Sequence, residues 1–226
     1  MINSRTISLI GEENFNKIAN SKIAIFGMGG VGGTCFEALV RSGVNHFYIQ
    51  DFDDVNESNL NRQVLYTLEN LKQKKCSSAA IFAKTINRGI EIIENFDKLS
   101  VDINLDFLKN YDFVVDAIDD LKAKVFLIKY CVDNEINIVV SLGMGRKLDP
   151  SRVKIVPLNK TTIDPLAKKL RYMLKNENVD LSKVMCAFSD EPTAEFNGEI
   201  SSMIFAPSSA GLNMAYYVIK QLILKK

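Results

Sequence analysis

The feature that most constrains this chain is a glycine-rich turn that follows an apolar run. Residues 23–26 (IAIF) have the composition of a buried strand, and residues 27–32 (GMGGVG) come directly after them. Apolar residues then recur every four positions, which predicts a helix. A second apolar run over residues 47–49 ends at Asp51. Strand, turn, helix and strand in this order predict the first βαβ unit of a doubly wound, mostly parallel α/β sheet.

The turn has the chemistry of a phosphate-binding loop. Gly27 permits a sharp turn, Gly29 lets the backbone approach a phosphate, and Gly32 lets the helix pack closely on the sheet. The free N–H groups and the positive dipole of the following helix attract the anion. Asp51 lies about 20 residues beyond Gly32, where a Rossmann-like sheet carries the acid that binds ribose hydroxyls. Because a glycine motif alone also suits a flexible loop, the order of the elements carries the prediction of nucleotide binding.

Length and composition favour one α/β domain. The 226 residues are 47% hydrophobic, which suffices for a sizeable core. We expect a nucleotide-binding half over residues 1–145. Residues 146–226 should add an antiparallel part that contacts the substrate and packs in a dimer.

No apolar run approaches the roughly 18 residues of a membrane span, and residues 1–5 lack the apolar core of a signal peptide. The four cysteines form no CxxC pair, which argues against disulfides or a zinc site and favours a cytoplasmic location.

The charges are distributed unevenly along the chain. The net charge is +1. Residues 143–175 contain nine basic and two acidic residues, so this window carries +7 and the rest of the chain −6. The asymmetry is compatible with a polyanion bound on one face, and an ordinary solvated surface is the alternative. The basic residues of the window are Arg146, Lys147, Arg152, Lys154, Lys160, Lys168, Lys169, Arg171 and Lys175.

The segment that begins at Asp51 resembles a known family. Residues 51–63 (DFDDVNESNLNRQ) resemble the signature of the ThiF/ubiquitin-activating superfamily, whose members adenylate a carboxylate with ATP. The resemblance implies that Asp51 holds the ribose of ATP, that Arg62 contacts its phosphates, and that Mg²⁺ is bound as well. The nucleotide-binding residues expected from the turn and the resemblance are Gly27, Gly29, Gly30, Gly32, Asp51, Asp53, Asn59, Arg62, Lys75 and Arg5.

Two further cations match residues of this family. Lys75 matches the lysine that contacts the ATP phosphates, a role that suits a point charge on a flexible stem. The family usually has Gly-x-x-Lys or Gly-x-Pro-Lys here, whereas this chain has KQKK over residues 72–75, so Lys74 is an alternative. Arg5 matches an arginine that reaches across a homodimer to the partner's ATP. An ordinary charge at a frayed terminus is the alternative for Arg5.

Asp119 matches the family aspartate that binds Mg²⁺ beside the ATP α-phosphate. It follows the apolar run at 112–116, and in α/β sheets ligands bind beyond the carboxyl ends of strands. One carboxylate with phosphates and waters is the usual coordination of Mg²⁺. The alternative is that Asp119 only caps the helix predicted at residues 121–133. The expected catalytic residues are Arg62, Lys75 and Asp119, with Asp119 as the metal ligand.

A second segment narrows the resemblance. Residues 160–171 (KTTIDPLAKKLR) and 184–189 (VMCAFS) look like the tRNA threonylcarbamoyladenosine dehydratase branch of the superfamily. Asp164 as the N-cap and Pro165 in the first turn predict a helix there. The tRNA substrate of this branch gives the basic window a function. The tRNA contacts implied are Arg146, Lys160, Lys168, Lys169 and Arg171.

Periodicity and turn residues predict the remaining elements. In the helix after Asp164, the leucines at 166, 170 and 174 should face inward, and Lys168, Lys169, Arg171 and Lys175 outward. Further helices are expected over 7–19, 71–86, 121–133 and 212–224, with a short one capped by Asp102 that ends at Lys109. Strands are expected over 90–96, 112–116 and 137–142, with an extra strand that ends at Val156 and a loop over 190–200.

The thiols and the histidine offer little further chemistry. Members of the superfamily relay acyl groups through thioesters, and Cys186 matches a family cysteine. Its apolar neighbours favour a buried, inert thiol instead. We expect a structural role for Cys76 as well. His46 is the only histidine, which excludes a histidine-based catalytic triad.

The resemblance therefore implies a homodimeric enzyme that uses ATP to cyclise threonylcarbamoyladenosine in tRNA through an acyl-adenylate. The first alternative is an adenylyltransferase that activates the C-terminal glycine of a ubiquitin-like sulfur-carrier protein. The missing zinc cysteines and the basic segment disfavour it. An NAD-dependent oxidoreductase has no use for Arg62 or Lys75. A non-catalytic scaffold that kept the fold is a third alternative. No catalytic base is evident.

Overall fold

The computed structural model describes residues 2–193 and 201–224. Its strands are β1 (Lys22–Phe26), β2 (His46–Gln50), β3 (Glu91–Asn95), β4 (Phe113–Asp116), β5 (Ile138–Ser141), β6 (Val153–Pro157) and β7 (Met185–Ser189). Within the described residues they form one seven-stranded sheet in the order β3-β2-β1-β4-β5-β7-β6. Neighbouring strands are parallel, except that β6 is antiparallel to β7. The predicted fold class is confirmed, including its antiparallel C-terminal part.

The helices cover both faces of the sheet. They are α1 (Ser4–Ile10), α2 (Glu12–Asn20), α3 (Gly30–Ser42), α4 (Lys75–Ile86), α5 (Leu121–Asp133), α6 (Pro165–Asn176) and α7 (Phe205–Leu224). Helices α2, α3, α4 and α7 pack on one face, and α5 and α6 pack on the other. Alternate residues of β1 enter the two cores, Ile23 and Ile25 on one side and Ala24 and Phe26 on the other. A strand covered on both faces is apolar throughout, which is why residues 23–26 lack alternation.

Two predicted helices begin or break elsewhere than expected. The segment predicted as one helix over 7–19 is divided into α1 and α2 at Gly11, whose φ of +82° lies in the left-handed region. The helix expected from Leu71 begins at Lys75. Lys72, with a φ of +66°, cannot belong to a right-handed helix.

Two further boundaries differ. The expected cap at Asp102 is wrong: the nearby element is a 3₁₀ turn, Asp106–Asn110, with Leu105 at its N-cap. The C-terminal helix begins at Phe205 rather than Leu212. Gly211 lies inside this helix, and a Cβ there would come within 2.5 Å of the Val31 carbonyl oxygen. Glycine at this position therefore permits α7 to pack closely on α3. Of the predicted loop, residues 194–200 lie outside the described residues.

Among residues 2–193 and 201–224, none of the helices combines the length and the apolar character required to cross a membrane.

Candidate active site

A crevice of about 360 Å³ opens at the carboxyl ends of β1, β2 and β4. This is where doubly wound sheets bind their ligands, and the volume falls in the usual range for small-molecule sites. Helix α3 begins at one side of the crevice, and the loops after β2, β3 and β4 form its walls. The crevice brings together nine of the predicted site residues: Gly27, Gly29, Gly30, Asp51, Asp53, Asn59, Arg62, Lys75 and Asp119.

The glycine turn has the predicted geometry. Gly27 has a φ of +89°, and a Cβ there would lie 2.6 Å from the Ala117 carbonyl oxygen. A Cβ on Gly32 would lie 1.8 Å from the Gly27 carbonyl oxygen, so glycine is required for the helix to meet the turn. At Gly29 the nearest atom to a Cβ is 3.9 Å away. Gly29 caps α3 without a side chain, which leaves this helix start open to an anion.

Asp51 is held by two backbone N–H groups. Its Oδ2 accepts from the Met28 N–H at 2.7 Å, and its Oδ1 accepts from the Asp53 N–H at 2.9 Å. Burial raises the pKa of this carboxyl, an effect opposed by Lys75 and by both N–H groups. Each carboxylate oxygen has a second lone pair, so Asp51 can still accept hydrogen bonds from a diol.

Lys75 and Lys74 point to different surroundings. Lys75 is 5% exposed and lines the crevice, with its Nζ 2.6 Å from Asp53 Oδ2. Lys74 Nζ pairs with Asp54 at 2.8 Å and donates to the Phe52 carbonyl oxygen. Lys74 does not line the crevice. The geometry therefore favours Lys75 over Lys74 as the cation of this site.

Arg62 is positioned by the turn that precedes it. Its Nη1 donates to the Ser58 carbonyl oxygen at 2.7 Å and to Asn61 Oδ1 at 2.9 Å. The 3₁₀ turn Glu57–Asn59 is closed by Asn59, whose Oδ1 accepts from the Asn56 N–H. The Asn-rich run in the sequence thus forms a rigid turn that presents the guanidinium to the crevice.

The loop after β4 presents Asp119. The alternative that Asp119 caps the next helix is wrong, because Asp120 is the N-cap of α5 and accepts from the Lys122 and Ala123 N–H groups. Asp119 is exposed and makes no hydrogen bond or ion pair with any described residue. Its carboxylate therefore remains available to a ligand.

Asp116 stabilises the same loop from the end of β4. Asp116 and Lys124 are fully buried, and Lys124 Nζ donates to Asp116 Oδ1 at 2.7 Å. The same oxygen accepts from the Ile118 N–H at 3.2 Å. Burial raises the pKa of Asp116, and Lys124 opposes the rise.

The crevice is acidic overall. Among the described residues that line it, five carboxylates face three cations. A triphosphate therefore needs further positive charge to enter. The carboxylates are Asp51, Asp53, Asp97, Asp119 and Asp120, and the cations are Arg62, Lys75 and Lys98.

A second pocket, of about 700 Å³, adjoins the crevice. Its lining includes the loop at 141–146, the start of α6 and Ser202. The two cavities share Gly30, Arg62 and residues 117–119. Arg146 lines the second pocket.

Part of the basic window is neutralised. Lys147 is buried, with its Nζ 3.4 Å from Asp164 Oδ2 and 2.9 Å from the Ser189 carbonyl oxygen. Arg152 and Lys154 both pair with Asp190, at 2.7 and 3.3 Å. These three residues therefore contribute little to a polyanion surface.

The face of α6 agrees with the prediction except at two positions. Leu170 and Leu174 are fully buried, whereas Leu166 is half-buried. The prediction that Arg171 faces outward is wrong: it is half-buried and donates to the Thr161 carbonyl oxygen at 2.9 Å and to the Thr161 hydroxyl. Four other basic residues of the window are exposed, namely Lys160, Lys168, Lys169 and Lys175.

Arg5 lies outside both cavities. It is exposed on α1, which has no buried residue.

Cys186 is fully buried, and burial raises the pKa of its thiol. Burial also raises the pKa of Cys76 to about 12. The prediction of inert, structural thiols is supported at both cysteines.

Gln63 is a site residue that the sequence reasoning missed. It is 5% exposed and lines the crevice next to Gly29. Its Oε1 is buried and has no hydrogen-bond partner among the described residues. Gln63 follows Arg62 in the motif, so the motif itself was the available signal. Phe52 and Leu99 also line the crevice and provide apolar surface there.

Comparisons with known proteins agree with this geometry. The ThiF family model matches residues 3–198. The tRNA threonylcarbamoyladenosine dehydratase of Bacillus subtilis is 32% identical over an alignment of 246 positions, which covers 97% of this chain and 94% of that protein. The Escherichia coli enzyme of the same name is 36% identical over 193 residues, covering 82% of this chain and 72% of that protein.

A solved structure extends the similarity to three dimensions. The crystal structure of the E. coli tRNA N6-threonylcarbamoyladenosine dehydratase in complex with ATP has a TM-score of 0.92 and 31% identity to this chain. The match covers 98% of this chain and 93% of that chain. The resemblance drawn from residues 51–63 is thereby confirmed.

Proposed function

Because this chain belongs to the ThiF family, we propose that it is an ATP-dependent tRNA threonylcarbamoyladenosine dehydratase. One observation carries the proposal: the crevice and the second pocket meet at Arg62 and Asp119. ATP in the crevice brings its α-phosphate to this junction. The modified adenosine enters from the second pocket, so that its threonyl carboxylate meets the phosphate there. The dehydratase names of the relatives support the same assignment.

The crevice suits ATP in a defined orientation. The open start of α3 at Gly29 and Gly30 faces the phosphates, and Asp51 accepts hydrogen bonds from the ribose hydroxyls. Asn59 holds the turn that carries Arg62. Phe52 and Leu99 belong to the loops after β2 and β3, away from α3, so they provide the apolar surface for adenine.

Asp119 is the proposed ligand of Mg²⁺. Its exposed carboxylate has no partner among the described residues, and the acidic lining of the crevice calls for added positive charge. In the described residues no group of three or more potential ligands could hold a metal without the nucleotide. A site of one carboxylate plus phosphate oxygens fits that arrangement. A bound Mg²⁺ would neutralise charge on the phosphates.

In the first step the threonyl carboxylate attacks the α-phosphorus of ATP. A carboxylate oxygen–phosphorus bond forms, and the bond to the β-phosphate oxygen breaks, so that pyrophosphate leaves. Arg62 and Lys75 stabilise the negative charge that develops on the phosphates, and the geometry of the two cavities aligns the reactants. The product is an acyl-adenylate, in which AMP is a good leaving group.

In the second step the ureido group of the same nucleoside closes onto the activated carbonyl. The new bond forms as the carbonyl–AMP bond breaks, and the ureido group loses a proton. This reaction is intramolecular, so a held geometry provides effective molarities of about 10⁵–10⁸ M. Positioning in the second pocket is therefore the main contribution of the protein to this step.

The assembly proposed is a homodimer in which Arg5 acts on the partner's ATP. Helix α1 buries none of its residues, which suits an element that packs on a second subunit. The half at 1–145 binds the nucleotide, and the half at 146–226 contacts tRNA. Lys160, Lys168 and Lys169 are exposed for phosphate contacts, and Arg146 lines the substrate pocket. The tRNA substrate implies a cytoplasmic location.

The proposal is tested by incubating the protein with ATP, Mg²⁺ and tRNA that carries threonylcarbamoyladenosine. We expect AMP release and a nucleoside lighter by one water, both dependent on the modification. Unmodified tRNA is the matched control. AMP release that depended instead on the C-terminal glycine of a ubiquitin-like carrier protein would overturn the proposal.

A further inference from the structure

The outward face of α6 carries a tyrosine surrounded by lysines. Tyr172 is 69% exposed. Lys168 and Lys169 precede it by four and three residues, and Lys175 follows it by three, the spacings at which side chains on a helix are neighbours. All three lysines are exposed. We call Lys168, Lys169, Tyr172 and Lys175 the α6 platform.

The platform is basic, rigid and without partners in the described part of the chain. None of the residues of α6 is acidic. The side chains of the platform make no hydrogen bond or ion pair with a described residue. The opposite face of the helix is anchored in the core by Ala167, Leu170 and Leu174. The tyrosine ring is therefore presented to solvent on a fixed element.

The platform leads away from the substrate pocket. Asp164, Pro165 and Leu166 line that pocket, so α6 begins at its rim. At a rise of 1.5 Å per residue, Tyr172 lies roughly 10 Å along the helix from Pro165. This corresponds to about three bases stacked at roughly 3.4 Å.

We propose that the α6 platform binds unpaired nucleotides that flank the modified adenosine, with one base stacked on Tyr172 and the lysines on neighbouring phosphates. Aromatic rings combined with cations are the usual means of binding single-stranded nucleic acid. Unpaired bases are also the part of RNA that proteins recognise most readily. The inference rests on the proposed function and deepens it, since it concerns the tRNA outside the reacting nucleoside.

The test is steady-state cyclisation kinetics with the full chain, ATP and tRNA that carries threonylcarbamoyladenosine. Tyr172→Leu removes the aromatic ring, and the matched Tyr172→Phe keeps it. We expect Tyr172→Leu to raise KM for tRNA on the order of tenfold, and Tyr172→Phe to change it by less than about twofold. Neither variant should change KM for ATP.

The lysines are tested separately. Lys169→Ala should raise KM for tRNA and reduce the slope of log KM against log salt by about 0.7. Lys84, an exposed lysine on α4, provides the matched control, and Lys84→Ala should change neither quantity. Lys169→Ala and its control Lys84→Ala test the platform even if Tyr172→Leu fails to fold.

These experiments distinguish a failure of the α6 platform from a failure of the proposed function. If the wild-type protein cyclises the tRNA but Tyr172→Leu and Lys169→Ala retain its KM, the platform is refuted and the proposed function stands. If the wild-type protein does not act on the modified tRNA, both are refuted.

Discussion

The ammonium nitrogen of Lys75 lies 2.6 Å from Oδ2 of Asp53 at the side of the crevice. The lysine side chain is buried, whereas that of Asp53 is 45% exposed. The pair holds a cation beside the crevice before any nucleotide arrives, so little reorganisation is needed when charge develops on a phosphate. Lys74 pairs with Asp54 instead. Two adjacent lysines with different surroundings form a matched pair for mutagenesis.

We expect Lys75→Met to lower kcat/KM for ATP-dependent adenylation on the order of 10²- to 10³-fold, because a preorganised charge is lost. Lys74→Met should retain near wild-type activity, since Lys74 lies outside the crevice. The rate of ATP–pyrophosphate exchange measures the adenylation activity of both variants. Equal losses in the two variants, or a loss in Lys75→Met explained by unfolding in a thermal melt, would contradict the assignment.

Asp119→Asn should raise the Mg²⁺ concentration required for half-maximal activity by about tenfold or more, because the variant loses a carboxylate that binds the ion directly. Asp120→Asn is the isosteric control. Asparagine caps helices as well as aspartate does, so α5 should remain capped, and the Mg²⁺ dependence should shift far less than in Asp119→Asn because the Asp120 carboxylate already pairs with Lys98. A Mg²⁺ titration of AMP release gives the answer, and identical curves for wild type and Asp119→Asn would exclude Asp119 as the ligand.

Gln63→Met should stabilise the nucleotide-free protein and weaken ATP binding at once. The variant removes a buried acceptor that has no partner among the described residues. Removing it should increase the free energy of unfolding by about 1 kcal/mol, which raises Tm by roughly 2–4 °C for a chain of this size. The rise in Tm caused by added ATP should shrink. A lower Tm without nucleotide, with an unchanged response to ATP, would show that Gln63 has a structural role only.

Cys186→Ala should keep kcat within about twofold, at a cost in stability of about 1 kcal/mol for the small cavity. The thiol is fully buried, and burial raises its pKa, so little thiolate forms near neutral pH. The measurements are AMP release and the Tm of the variant. An activity loss comparable to that of Lys75→Met would instead favour a thioester relay.

Mixing two inactive variants tests whether Arg5 acts across the dimer. In an Arg5→Ala/Lys75→Met heterodimer, one site has both its own Lys75 and the partner's Arg5. An equal mixture at exchange equilibrium should therefore regain about a quarter of wild-type activity, since half the dimers are mixed and each has one intact site. If Arg5 acts within its own subunit, each mixed dimer has one site without Arg5 and one without Lys75, and the mixture stays inactive.

The boundaries that the sequence missed have local causes. Gly11 and Lys72 adopt positive φ values, and these divide or shorten helices whose apolar periodicity continues through them. Periodicity placed Arg171 on the outward face of α6, yet its guanidinium turns inward and donates to the Thr161 carbonyl oxygen. Such partners come from other parts of the chain, so periodicity within one segment does not reveal them.

The order of apolar runs, glycines and carboxylates in the sequence determined the class of sheet and the site at its carboxyl edge. The reason is that local sterics decide where a strand turns into a helix, and Gly27 and Gly32 have no substitute there. The tertiary structure alone decided which lysine enters the crevice and which basic residues remain unneutralised. Those outcomes depend on charges and carbonyls that are distant in the chain and become neighbours only when the sheet and its two helical layers pack together.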